Sequence, residues 1–288
     1  MTKQAQITCR NPEDLHEVGL FETCDDGPVD DNCDGSVDEN ITPDMGAKLI
    51  GVISMPDLYA IQEFGSSYAY PNAYKGPKPI ANQIKAIAKI FGLDPSQAIE
   101  FAKNLPALPE GAEGWFAIPR WEKLGSSYGE AVDRVLAKIA SKRKFYNHRE
   151  GQTGSEYLRE HEKTVKAFQT LEGDQNGHDI LIVPAQFGLR HRGRSVRQAR
   201  EVMNAVEFGL GAFAVGSMIL MHPEREVEFD QIHIDCAGDE FAPDADGDFS
   251  YALLFNFCDD EVGFDADWCN NANGDYGSAS GFLPVKAR

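Results

Sequence analysis

The chain of 288 residues contains no Cys-x-x-Cys pair and no glycine-rich phosphate-loop signature, and its histidines show no zincin spacing. These absences count against a zinc ribbon, a thioredoxin-type redox motif and a P-loop nucleotide site. No serine or cysteine stands out as a nucleophile. The amino terminus, Met-Thr-Lys-Gln-Ala-Gln-Ile-Thr, has no apolar core of the signal-peptide kind, so a cytoplasmic, reducing compartment is the default. The long apolar run, Phe208 to Met221, is 14 residues. A bilayer needs roughly 20, so this stretch reads as a buried helix and no membrane is expected as a partner. Gly209, Ala212 and Gly216 give it small residues for close packing.

Positive charge is scarce: 27 basic residues face 46 acidic ones, for a net of −19. That balance works against binding of nucleic acid by the whole surface and favours cations. It is also partitioned. Residues 1–40 carry eleven acids against Lys3 and Arg10, and Glu224 to the carboxy end carries sixteen acids against three bases. Between Lys142 and Arg200 the sign reverses, with twelve bases against seven acids. The simplest source of such a partition is the basic middle docking on an acidic end of the same molecule.

The fold class read from the pattern is α+β, with a mainly helical first part and an antiparallel β-sheet in the carboxy-terminal part. Residues 1–45, rich in Gly, Pro and Asp, form an acidic metal-binding loop segment, and residues 46–288 a single α+β domain, helical over 46–221 and β-rich over 222–288. Ile80, Ile84, Ala88 and Phe91 share a helical face that stops at Gly92. Asp94-Pro95 opens a helix over Ser96 to Leu105, and Tyr128 to Lys142 repeats the amphipathic pattern. Thr153-x-x-Glu156 has the form of a capping box for a helix to Leu171, and Ser195 caps another through Val206. Asp179 to Pro184 reads as a buried strand. Phe249 to Cys258 and Val262 to Trp268 read as a hairpin turned at Asp259-Asp260. Gly114 to Trp121 reads as a core anchor.

The stretch Cys24 to Glu39 names a chemistry most directly. It sets hard oxygen ligands at alternate positions: with Asp30 as position one, Asn32 and Asp34 are three and five, Gly35 turns at six and Asp38 is at nine. That is the opening of an EF-hand-type loop, but position twelve is Ile41 and not a bidentate Glu, so Glu39 is left to serve. The segment resembles the short Asp/Cys-rich metal-binding motif of bacterial surface proteins. Cys33-Asp34-Gly35-Ser36-Val37-Asp38-Glu39 follows the second half of that motif, while two extra residues separate Cys24 from Cys33. The resemblance covers residues 24–39 alone. It implies Ca2+ as ligand of Asp30, Asn32, Asp34 and Asp38, and an extracellular setting. The alternative is an acidic Asx-turn loop, and a Cys24–Cys33 bridge stays open.

A second cluster is His233-Ile-Asp235-Cys-Ala-Gly-Asp239-Glu240, leading into Asp244-Ala-Asp246-Gly-Asp248. Alternation along a strand puts His233 and Asp235 on one face. One histidine with carboxylates suits Mn2+, Fe2+, Zn2+ or Mg2+, and such a metal could activate water, which makes His233, Asp235 and Glu240 the catalytic candidates of a metal-dependent hydrolase. Asp244 to Phe249 is echoed by Asn271-Ala-Asn-Gly-Asp-Tyr276; such turns serve either as cation loops or as hairpin ends. The third candidate is the arginine segment Arg190 to Arg200. There Arg194, Arg197 and Arg200 surround the start of a helix as an anion or nucleic-acid-backbone site, unless they pair with the acidic carboxy-terminal part.

Overall fold

The computed structural model describes residues 63–284. The acidic loop with Asp30, Asn32, Asp34, Asp38 and Glu39, and the cysteines Cys24 and Cys33, lie outside the described residues. The described part is α+β, with helices α1 (Ile80–Phe91), α2 (Ser96–Phe101), α3 (Tyr128–Ala140), α4 (Glu162–Asp174), α5 (Val196–Val202) and α6 (Ala212–Met221).

Strands β1 (Gly114–Pro119), β4 (Ile180–Gln186), β5 (Glu207–Gly209) and β11 (Ser280–Phe282) form one sheet in the order β1-β4-β11-β5, antiparallel throughout. β4 is buried along all seven residues, as expected of its unbroken apolar run. The second sheet has seven strands: β2 (Phe145–Asn147), β3 (Leu158–Glu160), β6 (His233–Asp235), β7 (Asp239–Phe241), β8 (Tyr251–Cys258), β9 (Glu261–Trp268) and β10 (Tyr276–Ser278). It runs β10-β6-β8-β7-β3, with β9 on β8 and β2 on β9. Two of its pairs, β10 with β6 and β2 with β9, are parallel. The sheet is therefore mixed and not purely antiparallel, and strands from the helical stretch enter both sheets.

Local chemistry explains most boundaries. Gly92 takes φ 72° and closes α1 in the left-handed conformation. Asp94 Oδ1 accepts from the Ser96 amide at 2.9 Å, and Ser195 Oγ from Gln198 N at 3.1 Å to open α5. Asp259 and Asp260 both adopt positive φ, 51° and 61°, the geometry that a two-residue turn needs to match the twist of β8 and β9. One expectation fails. Thr153 does not cap a helix; its hydroxyl donates to Asp133 at 2.8 Å, and Leu158–Glu160 becomes a strand that β7 captures. The helix begins only at Glu162, after His161, whose Nδ1 accepts from Lys163 N.

α6 is apolar on every side and all ten of its residues are buried. It packs between α3 and β1. A Cβ at Gly216 would press on the Val135 side chain of α3 at 2.7 Å, so glycine there sets how closely the two helices approach. Among the described residues no helix is long and apolar enough to cross a membrane. The charge partition resolves into contacts: Arg149 bonds Asp265 at 2.7 Å and Arg159 bonds Glu240 at 2.7 Å, basic middle to acidic end.

Candidate functional site

The predicted cluster of His233, Asp235 and Asp239 does not come together. His233 and Asp235 do share a face of β6, but the chain reverses through Cys236–Gly238, with the Asp239 amide donating to Cys236 O at 3.1 Å. Asp239 then emerges on β7 and turns to other partners. His233 Nδ1 lies 3.5 Å from Glu226 Oε2, in a buried group with Arg225 and Gln231. Burial pushes the Asp235 carboxyl up to about 8, and the nearby charges of Asp267 and Asp275 add to it. Glu240 pairs with Arg159 across the β3–β7 ladder. Among the described residues no group of three or more His, Cys, Asp or Glu side chains is arranged to hold a metal ion.

The Asp-rich turns are accounted for by local bonding. Asp244, Asp246 and Asp248 are exposed, and Asp246 Oδ1 accepts from Asp248 N at 2.9 Å, with Ala245 and Gly247 at positive φ. In the echo, Asn271 and Asn273 both donate to Asp267. The arginine segment is likewise engaged within the fold. Arg194 pairs with Glu63 at 3.0 Å, and the Arg200 guanidinium donates to the carbonyls of Ala237 and Asp239. Arg197 donates its amide to Cys269 O. α5 has only seven residues.

What the structure does assemble lies on the other side of Asp239. Antiparallel register sets Glu160 on β3 directly opposite Asp239 on β7. Like charges in that position repel, so the pairing disfavours having both carboxyls ionised. Asp239 is fully buried and well bonded. Tyr128 Oη donates to its Oδ1 at 2.7 Å, and the Ala212 amide, at the first turn of α6, donates to its Oδ2 at 2.6 Å. The approach depends on glycine: a Cβ at Gly211 would collide with both the Asp239 carboxylate and the Tyr128 hydroxyl.

Glu160 differs. Its carboxyl has no hydrogen-bond or ion-pair partner among the described residues and faces a crevice. The crevice is walled by Trp121, Phe168, Phe213 and Leu181, with Tyr128, Arg120 and Glu172 supplying its other polar groups. It is narrow, with about 20 Å3 open to the centres of water-sized molecules, which is room for a water or a group of that size. Arg120 is committed elsewhere. Its Nε donates to His178 O at 2.6 Å, its Nη2 to the carbonyls of Glu172 and Gln175, and its Nη1 lies 3.3 Å from the Glu172 carboxylate.

These surroundings fix the protonation. Burial raises the Glu160 carboxyl to about 8, and the charges of Asp239, Glu122 and Glu172 push the same way. Burial also lifts Asp239 to about 7, against the opposing pull of the Ala212 amide, the Tyr128 hydroxyl and Arg200. At neutral pH the pair therefore retains a proton, and Glu160 is its natural holder. Burial raises Glu172 too, with Glu122 adding to the effect.

Sequence reasoning named Asp239 for the wrong partners and missed Glu160, Tyr128 and Arg120. It also misses a spelling: Gly125-Ser126-Ser127-Tyr128-Gly129 follows Gly-x-Ser-x-Gly. In the structure this is no nucleophile elbow, because Ser127 is the amino-terminal cap of α3 and its Oγ accepts from Glu130 N at 3.2 Å. The segment's product is the start of α3, which aims Tyr128 at Asp239. Comparison with protein-family models, with curated proteins and with solved structures finds no match to this chain.

Proposed function

We propose that the described body binds a small polar ligand in the crevice and exchanges a proton with it through Glu160. Burial, helped by the charges of Asp239, Glu122 and Glu172, holds the proton's affinity in the neutral range. The observation that carries this reading is the placement of an unpartnered carboxyl in the lining of a crevice, directly opposite a second, buried carboxyl. A carboxyl that keeps its proton near neutrality can donate it and take it back, which is the requirement for general acid–base work. Following the side-chain carboxyl carbons of the full chain by NMR across pH 4–10 tests it: an ordinary carboxylate midpoint at Glu160 would end the reading.

A second, separate reading belongs to the amino-terminal loop. We propose that Asp30, Asn32, Asp34 and Asp38, with Glu39 in place of the missing twelfth ligand, bind a divalent cation of the Ca2+ type. What supports it is the alternate spacing of oxygen ligands around Gly35. Thermal melts with Ca2+ and with chelator test it, since an ion bound only to the folded form raises stability by mass action. Identical melts at millimolar Ca2+, in wild type and in Asp34→Asn, would remove it. The metal-dependent hydrolase expected around His233 has no converging ligand set among the described residues, because Asp239 is bonded to Tyr128 and Ala212.

A further inference from the structure

Among the described residues Glu160 has no counter-charge. Three acids, Asp239, Glu122 and Glu172, act on its carboxyl, and no cation among the described residues relieves it, since Arg120 in the crevice lining is bonded to Glu172 and to three backbone carbonyls. The walls are aromatic, with Trp121 edge-on to Tyr128 at 6.4 Å between ring centroids and Tyr128 in contact with Phe213 at 6.3 Å. Aromatic walls beside a carboxyl suit an organic cation, whose head pairs with the carboxylate while its carbon chain meets the rings. A divalent metal asks instead for several oxygen or nitrogen ligands converging on one point. The described residues offer no such group.

Resting on the reading of the crevice as a proton-exchanging ligand site, we infer that its ligand is a primary alkylammonium ion, the head bound by Glu160 inside the crevice and the stem leading out of it past the half-buried Trp121. The narrowness of the crevice admits a head the size of water and excludes a quaternary one. Three N–H donors of the head reach the Glu160 carboxylate and the Tyr128 oxygen, and charge neutralisation displaces the proton that Glu160 otherwise keeps. Binding therefore releases up to one proton near neutral pH, and the affinity rises as pH goes from 6 to 9, until the amine itself loses its charge.

The probe is n-butylammonium chloride added to the full chain carrying 13C-labelled carboxyls, with tetramethylammonium, potassium and butanol as controls. The inference expects saturable movement of the Glu160 carboxyl signal by butylammonium alone and a Glu160 midpoint lowered by a unit or more. It also expects affinity weakened at least tenfold in Glu160→Gln. Calorimetry in two buffers of different protonation enthalpy should record the released proton. If Glu160 titrates high but butylammonium at tens of millimolar leaves its signal unmoved, the inference falls and the proton-exchange reading stands. If potassium or tetramethylammonium acts equally, the inference falls as well. A Glu160 midpoint in the ordinary carboxylate range removes both. Glu172→Gln, in the same lining, provides a second variant should Glu160→Gln fold poorly, and it should weaken butylammonium binding a few-fold.

Discussion

Glu160 and Asp239 face each other across two antiparallel strands, yet only Asp239 is bonded: Tyr128 and the first turn of α6 hold it, while Glu160 looks into a crevice. This asymmetry divides the roles. Asp239 ties α3, α6 and β7 together, and Glu160 is left with the exchangeable proton.

Glu160→Gln should change how stability depends on pH. The folded-state affinity of Glu160 for its proton is raised, to a midpoint of about 8. Between the unfolded value and that midpoint the folded form holds a proton that the unfolded form has lost. Its stabilising contribution is thus full below the unfolded midpoint, near pH 4.3, and is lost as pH rises through 8. Glutamine does not titrate. The variant should match wild type within about 1 kcal/mol at pH 5 and exceed it by on the order of 1–3 kcal/mol at pH 9. Urea melts at the two pH values check this.

Tyr128→Phe leaves the ring in place and removes the donor to Asp239. A buried carboxylate that loses one of two bonds should cost the fold about 1–3 kcal/mol. Asp239 should also titrate higher than in wild type, because the hydroxyl now pulls its midpoint down. The measurement is a denaturant melt joined to the carboxyl titration.

Gly211→Ala places a methyl group where the Asp239 carboxylate and the Tyr128 hydroxyl already meet. One or both must move, at about 1–3 kcal/mol. The crevice loses volume at the same time, so ligand binding should fall by tenfold or more even where the variant stays folded at 25 °C. Binding measured beside the melt separates the two effects.

Arg225 has no solvent exposure. It bonds Glu226 at 3.1 Å, Ile232 O at 2.7 Å and Phe187 O at 3.0 Å beneath the Tyr70 ring. Arg225→Ala removes the charge partner of a buried Glu226 and should destabilise by about 3–5 kcal/mol. Arg225→Ala with Glu226→Gln should recover part of that loss, which a double-mutant comparison of melts would record.

How far the sequence spoke for the fold depended on the range of the interaction. Features set by neighbours in the chain were legible: the face of Ile84 and Ala88, the stop at Gly92, the cap at Ser195, and the turn at Asp259-Asp260. Features set by pairing across the chain were not. Thr153-x-x-Glu156 has the spelling of a helix start, but β7 captures Leu158–Glu160 from 80 residues away. The same pairing hid the site. Glu160 sits in an unremarkable charged stretch, and its opposition to Asp239 follows only from the β3–β7 register. Asp239 drew notice for its acidic neighbours Asp235 and Glu240, but the turn at Cys236–Gly238 and the alternation of side chains send each of them to a different environment.

The central claim is that Glu160 keeps its proton near neutrality because it is buried, with the charge of Asp239 opposite it adding to the effect. The most direct test is the 13C carboxyl titration of Glu160 in the full chain, assigned with Glu160→Gln and repeated in Asp239→Asn. A midpoint near 8 that falls by a unit or more in Asp239→Asn is the predicted result. A midpoint between 4 and 5 in wild type, or one that Asp239→Asn leaves unmoved, would contradict the account.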